Sequence, residues 1–205
     1  MLERNNSVAA HNRAWLAARR ITAFNLMSSP GAGKTTLLER TIRDLPAARI
    51  SVIEGDQETE QDADRIRAAG ARAIQINTGA GCHLDASMVE RALRSLDPPE
   101  GSTLMIENVG NLVCPSLFDL GESARVVIAS VTEGDDKPLK YPHMFRGATA
   151  ILLNKMDLLP HVSFDVDRFT RNARKVNPNV DLLPLSATRG DGLDRWYRWL
   201  QEPRR

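Results

Sequence analysis

Ser28-Ser29-Pro30-Gly31-Ala32-Gly33-Lys34-Thr35 lies between the apolar run Ile21 to Met27 and a helical stretch opening Thr36-Leu37-Leu38. A strand that closes in a glycine-rich turn and reopens as a helix with Lys-Thr at its start is the context of a phosphate-binding loop. Polyphosphate brings several negative charges into a cleft, so the turn must offer backbone N–H groups without side chains in the way. Gly31 and Gly33, with Ala32 between them, meet that need. The following helix, opening with Thr36 after the motif, aims its partly positive N-terminus at the phosphates. Lys34 is placed to reach the β- and γ-phosphates and the Thr35 hydroxyl to bind Mg²⁺. Ser28 departs from the pattern, standing where G-x-x-x-x-G-K-[ST] has its first glycine. That requires a negative φ at Ser28 or a side chain turned away from the phosphates.

Outward from the loop, apolar and β-branched runs alternate with helical patterns. Strands are expected at Ile21 to Met27, Arg49 to Ile53, Arg72 to Ile76, Thr103 to Ile106, Arg125 to Val131, Ala148 to Leu153 and Leu182 to Leu185. Helices are expected at Thr35 to Asp44, Thr59 to Ala69, Asp85 to Leu96, Phe164 to Asn177 and Leu193 to Gln201, with turns at Pro98-Pro99-Glu100-Gly101 and Asn177-Pro178-Asn179. Such alternation predicts an α/β fold of the P-loop NTPase type, a mostly parallel central sheet with helices on both faces. Ahead of the first strand, Val8 to Arg19 reads as a short helix carrying Trp15 and Leu16, expected to pack across the sheet edge with Arg13, Arg19 and Arg20 in water. Residues 1–20 are thus an N-terminal helical extension and residues 21–205 the nucleotide-binding domain.

The chain has 205 residues and a formal net charge of +1, with 27 basic residues against 26 acidic ones, which suits one soluble globular domain. Basic and acidic residues are interspersed, so the sequence carries no footprint of nucleic-acid binding. No apolar run approaches the roughly 20 residues of a membrane helix, and the opening residues lack the apolar core of a secretory signal. A cytoplasmic protein is expected. Its two cysteines cannot form a disulfide framework, and a reducing compartment keeps them as thiols available for metal.

Asn154-Lys155-Met156-Asp157 follows an expected strand and resembles the N-K-x-D element of the GTPase superfamily. Guanine offers adjacent N1–H and N2–H₂ donors that the Asp157 carboxylate can accept together, with the Lys155 stem along the base. Ser186-Ala187-Thr188 resembles that superfamily's last guanine loop, with the Ala187 N–H facing the guanine carbonyl. Asp56 and Glu107, at or beyond strand ends, are the expected Mg²⁺-linked carboxylates, and the Gly110 N–H is placed to meet the γ-phosphate.

Cys82-His83 and Cys114 are the expected transition-metal ligands, since thiolate and imidazole favour Zn²⁺ and Ni²⁺ alike. Three donors fall short of the four of a closed structural site, so a second copy of the chain is expected to complete the coordination sphere about a two-fold axis. Cys114 follows Glu107 and Gly110 closely, so a shift of that loop on loss of the γ-phosphate would carry a thiolate with it. His11, His143 and His161 have no comparable neighbours and are read as ordinary surface or core residues.

Together the phosphate loop, Glu54-Gly55-Asp56, Gly81-Cys82-His83-Leu84-Asp85, the segment Glu107 to Pro115, Glu133-Gly134-Asp135-Asp136-Lys137-Pro138 and Asn154-Lys155-Met156-Asp157 resemble the HypB family. The resemblance spans nearly the whole chain, and the cysteine-bearing segments are its specific part. It implies a GTPase of the nucleotide-dimerising SIMIBI class that assists nickel insertion into [NiFe]-hydrogenase. It also implies GTP/GDP and Mg²⁺ as ligands, nickel or zinc on Cys82, His83 and Cys114, a nucleotide-dependent homodimer, a HypA-like nickel chaperone as partner, and the hydrogenase large-subunit precursor as an indirect one. No Cys-x-x-Cys-Gly-Cys motif and no long His-rich tract occurs near Met1, so nickel storage by such an extension is not expected of these residues. The alternatives are a UreG-like urease GTPase, a metal-binding module in which nucleotide is only structural, and an ATP-dependent kinase. Neither an arginine finger nor a catalytic Gln is evident, so slow intrinsic hydrolysis is expected.

Overall fold

The computed structural model describes residues 2–56 and 61–202. Seven strands, β1 (Thr22–Ser28), β2 (Ser51–Asp56), β3 (Arg72–Asn77), β4 (Thr103–Glu107), β5 (Ala124–Ser130), β6 (Ala150–Asn154) and β7 (Asp181–Pro184), form one sheet in the order β3-β2-β4-β1-β5-β6-β7. All six pairings are parallel. The glycine-rich loop therefore leaves the middle of the sheet. β1 is buried on both faces, which is why its sequence, Thr-Ala-Phe-Asn-Leu-Met-Ser, shows no polar alternation.

On one face lie α2 (Lys34–Asp44), α3 (Gln61–Ala68) and α8 (Leu193–Gln201). Phe24 and Leu26 of β1, Leu37 and Leu38 of α2, Ile66 of α3 and Trp196 and Trp199 of α8 share that core. The buried Trp196 indole keeps its N–H satisfied by donating to Thr41 Oγ1 at 3.0 Å. The other face is covered in two halves. α1 (Leu2–Ala18) and α4 (Ala86–Leu96) lie over β1, β2 and β4, whereas α5 (Lys137–Lys140), α6 (Pro142–Arg146) and α7 (Val166–Val176) lie over β5 and β6. α4 begins where it does because the Asp85 carboxylate accepts from Met88 N–H at 2.8 Å, and Asp165 caps α7 in the same way on Arg168 N–H. No described helix is long and apolar enough to cross a membrane.

All seven expected strands form, and the expected mostly parallel sheet is wholly parallel among the described residues. Three details differ from expectation, and a fourth lies partly outside the described residues. β2 runs on through Asp56, so Asp56 ends a strand rather than following it. The start of the helix expected at Thr59 lies outside the described residues, and the described part begins at Gln61. α5 and α6 were not anticipated, because each spans a single turn or little more, opened by Pro138 and Pro142, and leaves no apolar period to read. Finally, α1 starts at Leu2 rather than Val8 and packs on α4 and β1 over the sheet face, not across an edge. The edges are β3 and β7.

Candidate functional site

At the carboxyl ends of the strands a cavity of about 490 Å³ opens between the phosphate loop, Asp56, Glu107 and Lys155. Gly31 and Gly33 take φ of 74° and 97°, left-handed values that favour glycine. Gly33 is also a close approach, since a Cβ there would lie 2.5 Å from Asn154 Nδ2. It opens α2 with no side-chain cap, which leaves the first N–H groups of that helix to an anion. Ser28 takes the first glycine's place without a positive φ, and its buried hydroxyl accepts from Lys34 Nζ at 3.0 Å. The strand geometry of Ser28 is what makes the substitution tolerable.

The segments expected to read the base are tied to the loop. Asn154 donates to Ala32 O at 2.9 Å and accepts from Ala187 N–H at 3.0 Å, so its side chain is a strut joining the phosphate loop to the Ser186-Ala187 segment. Lys155 Nζ donates to Gly31 O at 2.7 Å, laying its stem over the loop, and Ser186 Oγ donates to Asp157 Oδ1 at 2.6 Å. Thr36 lines the cavity beside Thr35, and Gly110 is packed so closely on Pro30 that a Cβ would come within 3.1 Å of that residue's backbone.

Thr35 Oγ1 donates to Glu107 Oε1 at 2.9 Å, which places two of the three expected Mg²⁺ ligands together. The third carboxylate groups differ from expectation. Oxygen atoms of Glu107, Glu54 and Asp62 lie within 4.8 Å of one another, whereas Asp56 lines the cavity beside that cluster. Among the described residues, Glu54 Oε2 and Glu107 Oε2 are buried without a hydrogen-bond partner, and unpaired buried carboxylate oxygens fit a hard cation. Burial, then repulsion from Glu107, Asp56 and Asp62, pushes Glu54 up to about 8, and burial pushes Glu107 up to about 7 against the pull of Lys34 and Thr35. Such carboxyls bind more protons folded than unfolded, so the metal-free protein should lose stability as pH rises from 4.5, their ordinary value, to about 8. Glu54→Gln is expected to flatten that decline and to raise stability near the top of the window by about 1–3 kcal/mol. Denaturant unfolding across the pH range checks this, and identical slopes for both proteins would count against it.

The structure also brings Cys82, His83 and Cys114 together, with ligand atoms all within 4.8 Å of one another and each residue half-buried. Cys82 Sγ lies 3.6 Å from His83 Nδ1, and the imidazole stacks on Phe118 at 3.9 Å between ring centroids. Burial, only partly offset by Asp85, lowers the His83 pKa and favours the neutral, ligating form. The Cys114 thiol is raised by its hydrogen bond with Cys82 and then by burial, so metal binding here must release protons. Two sulfurs and one imidazole suit nickel or zinc.

Both segments are rooted in the nucleotide site. The loop bearing Cys82 is joined to Asp56 by the bond from Thr78 N–H to Asp56 O at 2.9 Å. Asn108, next to Glu107, accepts from Leu84 N–H at 3.1 Å, and Asn111, next to Gly110, accepts from Cys114 N–H at 3.2 Å. Glu54, Asp62 and the ring of Phe118 were not singled out from sequence. Glu54 offered the one usable signal, a carboxylate directly after the apolar pair Val52-Ile53.

A wholly parallel sheet whose central strand opens into a glycine-rich phosphate loop, with carboxylates at neighbouring strand ends, defines a P-loop nucleotide-binding protein, here one that carries a transition-metal donor set. The chain belongs to the HypB family, within the group described as CobW/HypB/UreG, nucleotide-binding domain, whose model matches residues 22–184. It is 55% identical over 205 residues to the hydrogenase maturation factor HypB of Escherichia coli (strain K12), covering 100% of this chain and 71% of that protein. The crystal structure of hydrogenase maturation factor HypB from Archaeoglobus fulgidus matches with a TM-score of 0.91 at 40% identity, over 98% of each chain. HypB from Helicobacter pylori in complex with nickel matches with a TM-score of 0.90 at 39% identity, over 96% of this chain and 93% of that one.

Proposed function

We propose that this chain is a GTP-hydrolysing nickel metallochaperone for [NiFe]-hydrogenase maturation, in which nucleotide state, dimerisation and metal binding are coupled. The observation that carries the reading is one segment, Glu107 to Cys114. It hydrogen-bonds Thr35 of the phosphate loop at one end and presents a sulfur to Cys82 and His83 at the other. Gly110, midway, rests on Pro30. A change at the terminal phosphate therefore has a short mechanical route to the metal ligands.

In this reading Gly31, Gly33 and the N-terminus of α2 bind the phosphates, and Lys34 stabilises charge on the transferring phosphoryl group. Asp157, oriented by Ser186, reads the guanine edge. Thr35, Glu107 and Asp56, with Glu54 and Asp62 beside them, would hold Mg²⁺, which when bound neutralises phosphate charge. Glu107 holds the Thr35 hydroxyl in place at its buried carboxylate. Cys82, His83 and Cys114 take nickel, or zinc, as cargo, and a second copy completes the coordination sphere. The half-exposed apolar side chains Val113 and Leu117 flank Cys114 on the surface that would meet it. A HypA-like nickel chaperone and, indirectly, the hydrogenase large-subunit precursor are the partners in the cytoplasm.

The test is titration of nickel into the full chain with GDP or a non-hydrolysable GTP analogue while molecular mass is followed. Nickel affinity should differ between the two states and the dimer should dominate in one of them, because coupling is reciprocal. Equal affinities and equal masses would overturn the coupled reading.

A further inference from the structure

α1 turns an unusual stripe inward. Its buried residues are Asn5, Ala9, Asn12 and Leu16, so two of the four positions facing the core carry amides where an apolar side chain would ordinarily pack. Each amide touches both segments that lead away from the metal ligands. Asn5 Oδ1 accepts from Ala86 N–H at 2.9 Å, and its Nδ2 donates to Asp119 O at 2.8 Å. Asn12 Nδ2 donates to Ala86 O at 2.8 Å and to Leu120 O at 3.1 Å. Ala86 is the first residue of α4, directly behind the Cys82-His83-Leu84-Asp85 segment. Asp119 and Leu120 directly follow Phe118, the ring on which His83 stacks, in the segment that begins at Cys114.

The same segment also permits α1 to come this close. Gly121, with a φ of 92°, leaves so little room that a Cβ there would lie 2.6 Å from Ala9 O and 2.7 Å from Asn12 Cβ. Arg13 closes the surface side with two hydrogen bonds to the Asp119 carboxylate at 2.7 and 2.8 Å. The contact is thus a clasp that spans two loops of distant sequence.

We propose that Asn5 and Asn12 are positioning residues for the transition-metal site: by bridging Ala86 to Asp119 and Leu120 they hold the Cys82-His83 and Cys114 segments in one register. The inference rests on the reading of Cys82, His83 and Cys114 as metal ligands. Groups behind the ligands orient them, and losing such a group commonly weakens metal binding about ten- to a hundredfold. Asn12→Leu keeps the branched shape of the side chain and removes both donated bonds, leaving the Ala86 and Leu120 carbonyls free to drift apart. Leu16→Ala, on the same helix face, cuts into the apolar core that Leu16 shares with α4 and the sheet but removes no bond to either segment.

Nickel is titrated into metal-free full chain for wild type, Asn12→Leu and Leu16→Ala, following the thiolate-to-nickel charge-transfer band, with melting temperature and GDP affinity measured alongside. Asn12→Leu should bind nickel about ten- to a hundredfold more weakly, with a shifted band, and keep its GDP affinity. Leu16→Ala should melt earlier and bind nickel as the wild type does. Wild-type nickel binding by Asn12→Leu, or an equal loss in Leu16→Ala, overturns the clasp. Failure of the wild type itself to bind nickel overturns the metal reading and the clasp with it. Should Asn12→Leu not fold, Asn5→Ala, nearer the free end of α1, reads the same quantity.

Discussion

Lys34→Ala should lower single-turnover GTP hydrolysis by about a hundred- to a thousandfold, the loss typical of removing one preorganised charge-stabilising group. The expectation follows from place and company. Lys34 sits at the first position of α2, on the cavity floor, with its ammonium on Ser28 Oγ and its charge acting on both Glu54 and Glu107. No ion pair of Lys34 holds the fold together among the described residues, and the side chain is only partly buried, so the variant should fold. Rapid-quench hydrolysis with excess protein separates the chemical step from GDP release. A rate within a few-fold of wild type would remove Lys34 from the reaction. The same variant tests the coupling, because nickel transfer that survived the loss of hydrolysis would favour a metal module in which nucleotide is only structural.

Much of this arrangement was legible because it depends on local pattern. Ile21 to Thr35 announces strand, turn and helix within one window, and Asp85 marks a helix start where an apolar period follows. Residue type, and a place next to nucleotide-site segments, singled out Cys82, His83 and Cys114, which the fold does bring together. What escaped depends on tertiary approach. Glu54 and Asp62 join Glu107 only because β2, β4 and the start of α3 converge, and nothing in their spacing records it. Asn154 reads as a base contact in the N-K-x-D pattern, but the pattern does not announce that its amide also ties Ala32 to Ala187. The first turns of α1 were missed because a stripe containing Asn5 and Asn12 has almost no hydrophobic period.

Cys114→Ser should weaken nickel binding by more than the roughly ten- to hundredfold expected for a supporting residue, since it removes one of the three donors themselves. Hydrolysis should survive, because Cys114 lies beyond Gly110 and Asn111 and touches none of the phosphate-binding groups. The sharper consequence concerns linkage. If the Glu107 to Cys114 segment carries the coupling, deleting its sulfur should make the residual metal affinity the same with GDP and with a GTP analogue. By reciprocity, nickel should then no longer alter the affinity for GTP. His83→Ala supplies the contrast: it also removes a donor and should weaken binding, but it leaves the sulfur on the moving segment, so a nucleotide-dependent difference should remain. Titrating nickel into wild type and both variants in each nucleotide state gives the comparison. A Cys114→Ser protein whose nickel affinity still differed between the two states would place the coupling elsewhere, on the bond from Thr78 N–H to Asp56 O that ties the Cys82 loop to the end of β2.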